Sequence, residues 1–229
     1  MKKHLLLVTI LIAGGRSVFA VPVTGGGDSA DEYLHGLITG SSSMDTVVIP
    51  LDSYHISGTL DLEGLNDMCI WFEPGSEILL DDVYRTVLRL EDCSNVVIMN
   101  VYLSHVEPLD YDDCHGAVVW LGNSSGITFD NCSICGCGSA GFTISDCRDV
   151  LITHCEIMDN SNSAFSLLGY DGLRIVSCSI HDNGMLINSQ GLDSQRDLDM
   201  ANNLIFDNRN YMYQNLITGE SETPGLRPH

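Results

Sequence analysis

Beyond Lys3 the chain has no lysine, and only eight arginines complete its ten basic residues against 31 acidic ones, for a formal net charge of −21. A surface so short of cations repels nucleic acid and anionic lipid, so neither is expected as a partner. Past residue 20, no apolar run approaches the ~20 residues that a spanning helix requires, so no membrane insertion is expected. Gly-rich phosphate loops, nucleophile elbows and zinc-spaced Cys/His sets are missing as well, which removes the commonest nucleotide, hydrolase and structural-metal signatures. Cysteine is present in an odd number, nine. A disulfide framework favours even counts, which leaves room for buried thiols packing as small hydrophobes.

The first twenty residues read as a secretory signal peptide: Lys2 and Lys3, an apolar run from Leu5 to Ala13, and the small-residue exit Val18-Phe19-Ala20. Cleavage after Ala20 predicts a secreted or periplasmic protein. It leaves 7 arginines against 31 acids, a charge of 7 − 31 = −24.

What is present in abundance is a repeat. SSGITFDNCSI from Ser124, CRDVLITHCEI from Cys147 and YDGLRIVSCSI from Tyr170 align at intervals of 23 residues. Ile127, Val150 and Leu173 fall in one column, then Phe129, Ile152 and Ile175, then Cys132, Cys155 and Cys178, then Ile134, Ile157 and Ile180. A period in the twenties with alternating apolar positions is the mark of a solenoid. The spacing predicts three short strands per turn; for one turn they are 141–144, 150–153 and 155–158. Leu90, Leu121, Ile144, Leu167 and Leu192 are the expected interior anchors, in steps of 31, 23, 23 and 25. About seven turns are expected. Ser29 with Glu32 forms a capping box before a helix over about 30–38. The predicted organisation is a signal peptide over 1–20, a solenoid with its capping helix over 21–218, and a tail over 219–229.

These residues carry a resemblance. GFTISDCRDVLITHCEIMDNS, with Cys or Asn at its bend, and TVVIPLDSYHISGTLDL resemble the right-handed parallel β-helix of the pectin-lyase-like superfamily, over roughly residues 30–215. Asp52 stands where glycine is usual in the opening turn. The resemblance implies an all-β, single-stranded right-handed parallel β-helix. It leaves activity open, because the superfamily includes lyases, polygalacturonases, epimerases, tailspikes and proteins without known activity. Asp112-Asp113 and His115-Gly116 match polygalacturonases in residue type but not in spacing. The basic residues of pectate lyases and the Asp-Pro-His-Asp of alginate epimerases are not found.

Three constellations carry candidate chemistry. The insertion from His105 to Gly116 holds Glu107, Asp110, Asp112, Asp113 and His115 in the large break of the repeat, and oxygen-rich clusters of this kind suit Ca²⁺. A solvated acidic loop is the plainer account. The residue before each anchor points outward, giving the row Arg89, Trp120, Thr143, Ser166 and Gly191. A Trp beside an Arg on a flat sheet, with His115 at the rim, suits a sugar, unless the loop folds over Trp120. The third is the ladder Asp159-Asn160, Asp182-Asn183, Asp207-Asn208, which caps backbone groups or holds cations. The expected role is polysaccharide or cell-surface glycan binding without established catalysis. The alternatives are a Ca-dependent lyase or glycoside hydrolase acting on uronic-acid polymers, and a purely structural surface protein. Cys132, Cys155 and Cys178 are expected as buried free thiols, with Cys155→Ser leaving an unsatisfied hydroxyl. Cys114 and Cys137 share a place on adjacent turns and are a candidate disulfide.

Overall fold

The computed structural model describes residues 29–41, 46–106, 115–136, 139–189, 195–209, 213–215 and 221–222. It is a right-handed parallel solenoid of about six turns and about 24 residues per turn, with one N-terminal helix. Three faces alternate along the chain. The first carries β1 (Thr46–Ile49), the leading half of β4 (Asn66–Leu80) and of β6 (Ser94–His105), then β8 (Thr128–Asp130), β11 (Cys147–Thr153), β14 (Tyr170–Val176) and β17 (Gln195–Asp199). The second carries β2 (Ser53–Ile56), the trailing halves of β4 and β6, then β9 (Ser133–Cys135), β12 (Glu156–Met158), β15 (Ser179–His181) and β18 (Leu204–Phe206). The third carries β3 (Leu60–Glu63), β5 (Leu88–Glu91), β7 (Val119–Gly122), β10 (Ala140–Ser145), β13 (Ser163–Leu167), β16 (Ile187–Ser189) and β19 (Tyr213–Asn215). All these pairings are parallel; a final β20 (Ser221–Glu222) runs antiparallel to β19.

Alternation decides what is inside. Val150 pairs with Leu173, Phe129 with Ile152 and Ile152 in turn with Ile175, Ile134 with Ile157 and Ile157 in turn with Ile180, and all are buried. Like stacks on like, and each fully buried aliphatic side chain contributes ~1.5–3 kcal/mol. Phe142 fills the centre, edge-on to Phe129 at 5.1 Å and stacked on Phe165 at 5.8 Å. The helix α1 (Ala30–Thr39) closes the N-terminal end with Leu34 and Ile38. Ser29 is its N-cap but makes no side-chain capping bond, so the expected capping box does not form. The Asp31 carboxylate at the first turn accepts from Ser57 Oγ at 3.2 Å.

Two expectations about register change. The residue paired with Leu167 is Ser189, and Ser166 pairs with Asn188, so neither Leu192 nor Gly191 holds the place expected of it. The anchor column runs Leu62, Leu90, Leu121, Ile144, Leu167, Ser189, in steps of 28, 31, 23, 23 and 22. Ser189 is a polar residue on an interior position, 1 % exposed, so hydrophobicity could not mark it.

The bends are made by residues that tolerate left-handed backbone. Among the described residues, fifteen non-glycine positions have positive φ, and eight of them are aspartates: 67, 92, 146, 149, 159, 182, 197 and 207. Asp and Asn occupy this region more readily than other side-chain-bearing residues. A share of the acidity is therefore backbone chemistry. Asp52 is not among them, so its turn needs no glycine. Inside the bend between the first and second faces runs a ladder of Val101, Cys132, Cys155, Cys178 and Asn203. The Cys132 N–H donates to Cys155 Sγ (3.4 Å), and Cys155 Sγ donates to the Thr153 carbonyl (3.1 Å). Asn203 likewise accepts from Cys178 N–H (2.8 Å), but donates to the preceding rung's Ile175 carbonyl (2.7 Å), the counterpart of the longer Cys155 Sγ contact with the Phe129 carbonyl (3.6 Å). The three cysteines are free and buried. A second ladder, Asn160, Asn183 and Asn208, caps the bend after the second face: Asn160 N–H donates to Asn183 Oδ1 (3.1 Å) and Asn183 N–H to Asn208 Oδ1 (3.1 Å). Backbone capping is thus what this ladder does.

Candidate functional site

On the third face, inward Leu and Phe alternate with outward polar residues, and the pairing lines the outward ones up across rungs. Asp61 pairs with Arg89, Arg89 with Trp120, Trp120 with Thr143, Thr143 with Ser166 and Ser166 with Asn188. Successive members stand ~4.8 Å apart. A parallel second row begins Glu63, Glu91, Gly122, Ser145.

Arg89 is the hub of this strip. Its Nη1 donates to both Asp61 oxygens at 3.0 and 3.1 Å, and its Nη2 to Glu91 Oε2 at 3.2 Å. Burial works against the guanidinium charge, but Asp61, Glu91 and Glu63 outweigh it, so its pKa lies above the ordinary arginine value. Glu91 Oε1 accepts from Asn123 Nδ2 at 2.9 Å. Glu91 also lies over Gly122, where an added Cβ would collide with its carboxylate. Trp120, next in line, is half-buried.

The rim of the strip is the corner between the second and third faces. His115 is exposed and stacks on Tyr84 with ring centroids 5.6 Å apart; Tyr84 is itself 62 % exposed. The His115 and Gly116 N–H groups both reach the Val83 carbonyl, at 3.4 and 3.2 Å. A Cβ at Gly116 would strike the Arg85 carbonyl, so only glycine allows the crossing. His105 takes no part in an acidic cluster with described residues. It is 2 % exposed, and its ring nitrogens face the carbonyls of Arg85 (Nε2, 2.8 Å) and Gly136 (Nδ1, 3.2 Å), tying three connections together.

Glu107, Asp110, Asp112, Asp113, Cys114 and Cys137 lie outside the described residues. Among the described residues no three His, Cys, Asp or Glu side chains gather as a metal would require.

Sequence reading passed over the second face. A cavity of about 530 Å³ is lined by Glu77, Tyr102, Ser104, His105, Cys135 and Asp159, among others. Burial, then hydrogen bonding to Cys135, pushes the Tyr102 phenol up to about 12. Three rungs on from Tyr102, His181 sits between Asp182 (Nδ1 to Oδ2, 2.7 Å) and Glu156 (Nε2 to Oε1, 3.3 Å), with Phe206 stacked at 4.6 Å. Burial would lower its pKa; the two carboxylates raise it above 6.5. His154 bonds the neighbouring rung's Asp130 at 2.9 Å, in a left-handed bend position, as expected for a surface polar residue.

The repeat family described as the right handed beta helix region matches residues 86–219. The chain belongs to this family. No curated protein matches it by sequence. Among solved structures, a putative glycosyl hydrolase from Parabacteroides merdae superposes with a TM-score of 0.59 at 14 % identity, over 76 % of this chain and 87 % of that one. A pectin methylesterase variant in complex with a hexasaccharide superposes with a TM-score of 0.51 at 12 % identity, over 82 % of this chain and 80 % of that one. At these identities the likeness is one of fold, the pectin-lyase-like β-helix.

Proposed function

We propose that this β-helix acts outside the cytoplasm as a polysaccharide-binding protein, with the third-face strip as its binding surface. The observation that carries the reading is the partly open Trp120 in line with Arg89 and Asp61 on a parallel sheet, with Glu91 in the adjoining row. A pyranose offers an apolar face to an indole and a ring of hydroxyls to polar groups beside it. Fixed rungs hold such groups in place before ligand arrives, which lowers the cost of binding. The N-terminal apolar run supports export, and the fold shared with a putative glycosyl hydrolase and a pectin methylesterase is consistent with a carbohydrate role.

A glycan array, read for binding and for cleavage with and without Ca²⁺, tests this. The expected result is retention of at least one polysaccharide, weakened by ~10-fold or more in Trp120→Ala, the loss typical of removing a central aromatic anchor. Unchanged affinity in that variant would remove the strip from consideration. Release of unsaturated sugar, read by absorbance, would instead establish a lyase.

A further inference from the structure

We infer that the strip selects uncharged sugars and discriminates against uronic acids, an inference that rests on the polysaccharide reading above. An arginine on a sugar platform is ordinarily taken as a carboxylate clamp, because its planar fork matches a carboxylate. Arg89 has already spent that fork. Nη1 is bidentate on Asp61 and Nη2 is on Glu91, at 3.0 to 3.2 Å. Glu63, paired in register with Glu91, adds a third carboxylate whose charge Arg89 also feels. One cation among three anions leaves 1 − 3 = −2 on the strip, within a chain of net −21. A uronate carboxylate laid beside Trp120 would have to displace Asp61 or Glu91 from Arg89, or else sit against uncompensated negative charge.

An uncharged sugar meets no such conflict. Its hydroxyls donate to carboxylate oxygens, which accept more than one hydrogen bond each, and accept from guanidinium N–H groups left over after two partners. Glu91 is held for this task from two sides: Asn123 bonds its Oε1 at 2.9 Å, and the missing side chain at Gly122 gives it room over the next rung. The lattice is thus a set of hydroxyl-binding groups fixed beside an aromatic plane.

The test uses the full chain and a pair of polymers with one backbone, polygalacturonate and its fully methyl-esterified form, in which each carboxylate becomes an uncharged ester, each titrated at low and high ionic strength. The expected result is at least ~10-fold tighter binding of the uncharged form at low salt, a gap that narrows as salt screens the repulsion. Asp61→Asn combined with Glu91→Gln frees Arg89 and should shift preference toward polygalacturonate. Both positions are on the surface strip, and circular dichroism confirms the fold. Equal or tighter binding of polygalacturonate by the unaltered protein would overturn the charge selection while leaving the polysaccharide reading standing. An unshifted preference in the double variant would overturn the role given to Arg89. Binding of neither polymer, nor of any other uncharged glycan on the array, would overturn both readings together.

Discussion

A cysteine in the interior of this solenoid does the work of an asparagine. At Cys155 the sulfur accepts the Cys132 N–H at 3.4 Å and reaches the Phe129 carbonyl of the preceding rung at 3.6 Å, tasks that Asn203 performs at the top of the same column, and it also donates to the Thr153 carbonyl. The neighbouring bend shows a third solution. Ser124 accepts the Cys93 N–H at 3.0 Å and donates to the Gly122 carbonyl at 2.6 Å. The expectation that Cys155→Ser strands a hydroxyl is therefore revised, because donor and acceptor are both at hand. Cys155→Ser should cost ~1 kcal/mol or less, from lost volume, whereas Cys155→Val leaves the Cys132 N–H and Thr153 carbonyl without this partner and should cost ~1–3 kcal/mol. Urea unfolding of both variants decides it; equal losses would show that packing and not hydrogen bonding sets the residue. The thiols should also resist alkylation in the native state. Burial excludes the reagent from Cys132, Cys155 and Cys178 alike, even though the hydrogen bond with Cys155 lowers the other two thiols while raising Cys155 itself; burial pushes Cys147 up to about 11.

At the scale of the element, the sequence columns marked strands well wherever an apolar residue marks each inward position. The steps of 23 from Leu121 to Leu167 were legible for that reason. Register was lost where chemistry and position part. Ser189 faces inward without being apolar, so the next leucine, Leu192, attracted the assignment. On the other side, the 28-residue step from Asp61 to Arg89 hid their pairing, and with it the fact that Arg89 is already engaged. The second-face cavity was hidden by β4 and β6, which run unbroken around a bend and blur which residues share a face. The bends themselves make a sharp prediction. Asp146 has φ 53° and, among the described residues, its carboxylate accepts only a long hydrogen bond, 3.4 Å from Ser145 Oγ. Asp146→Gly should leave stability within ~0.5 kcal/mol, while Asp146→Val, β-branched in left-handed backbone, should lose ~1–2 kcal/mol. Denaturant midpoints check this, and a valine variant as stable as the glycine one would show that the turn refolds around it.

The molecule as a whole is a stack in which each rung touches only its neighbours, so stability is the sum of rung and interface contributions and is lowest where a neighbour is missing. The two ends differ. At the N-terminus α1 lays Leu34 and Ile38, both 0 % exposed, against the first rung. At the other end Leu198, Met200 and Ile205 occupy inward positions in β17 and β18 and the bend between them, yet they are only partly buried. Arg89 and Trp120 stand on β5 and β7, nearer to α1 than to β17 and β18. A binding strip benefits from this placement, since rigid neighbours above and below hold its groups at fixed spacing. Hydrogen exchange should therefore grade along the axis. Amides of β11, β12 and β14, sandwiched between rungs, should exchange slowest and report global unfolding, while those of β17 and β18 should open locally and exchange faster by an order of magnitude or more. The strands β5 and β7 should fall with the slow group. If β17 and β18 proved as protected as β11 at a concentration low enough to exclude association, the partial burial of Leu198, Met200 and Ile205 would not set local opening, and the asymmetry that keeps the strip on the more rigid half of the solenoid would be lost with it.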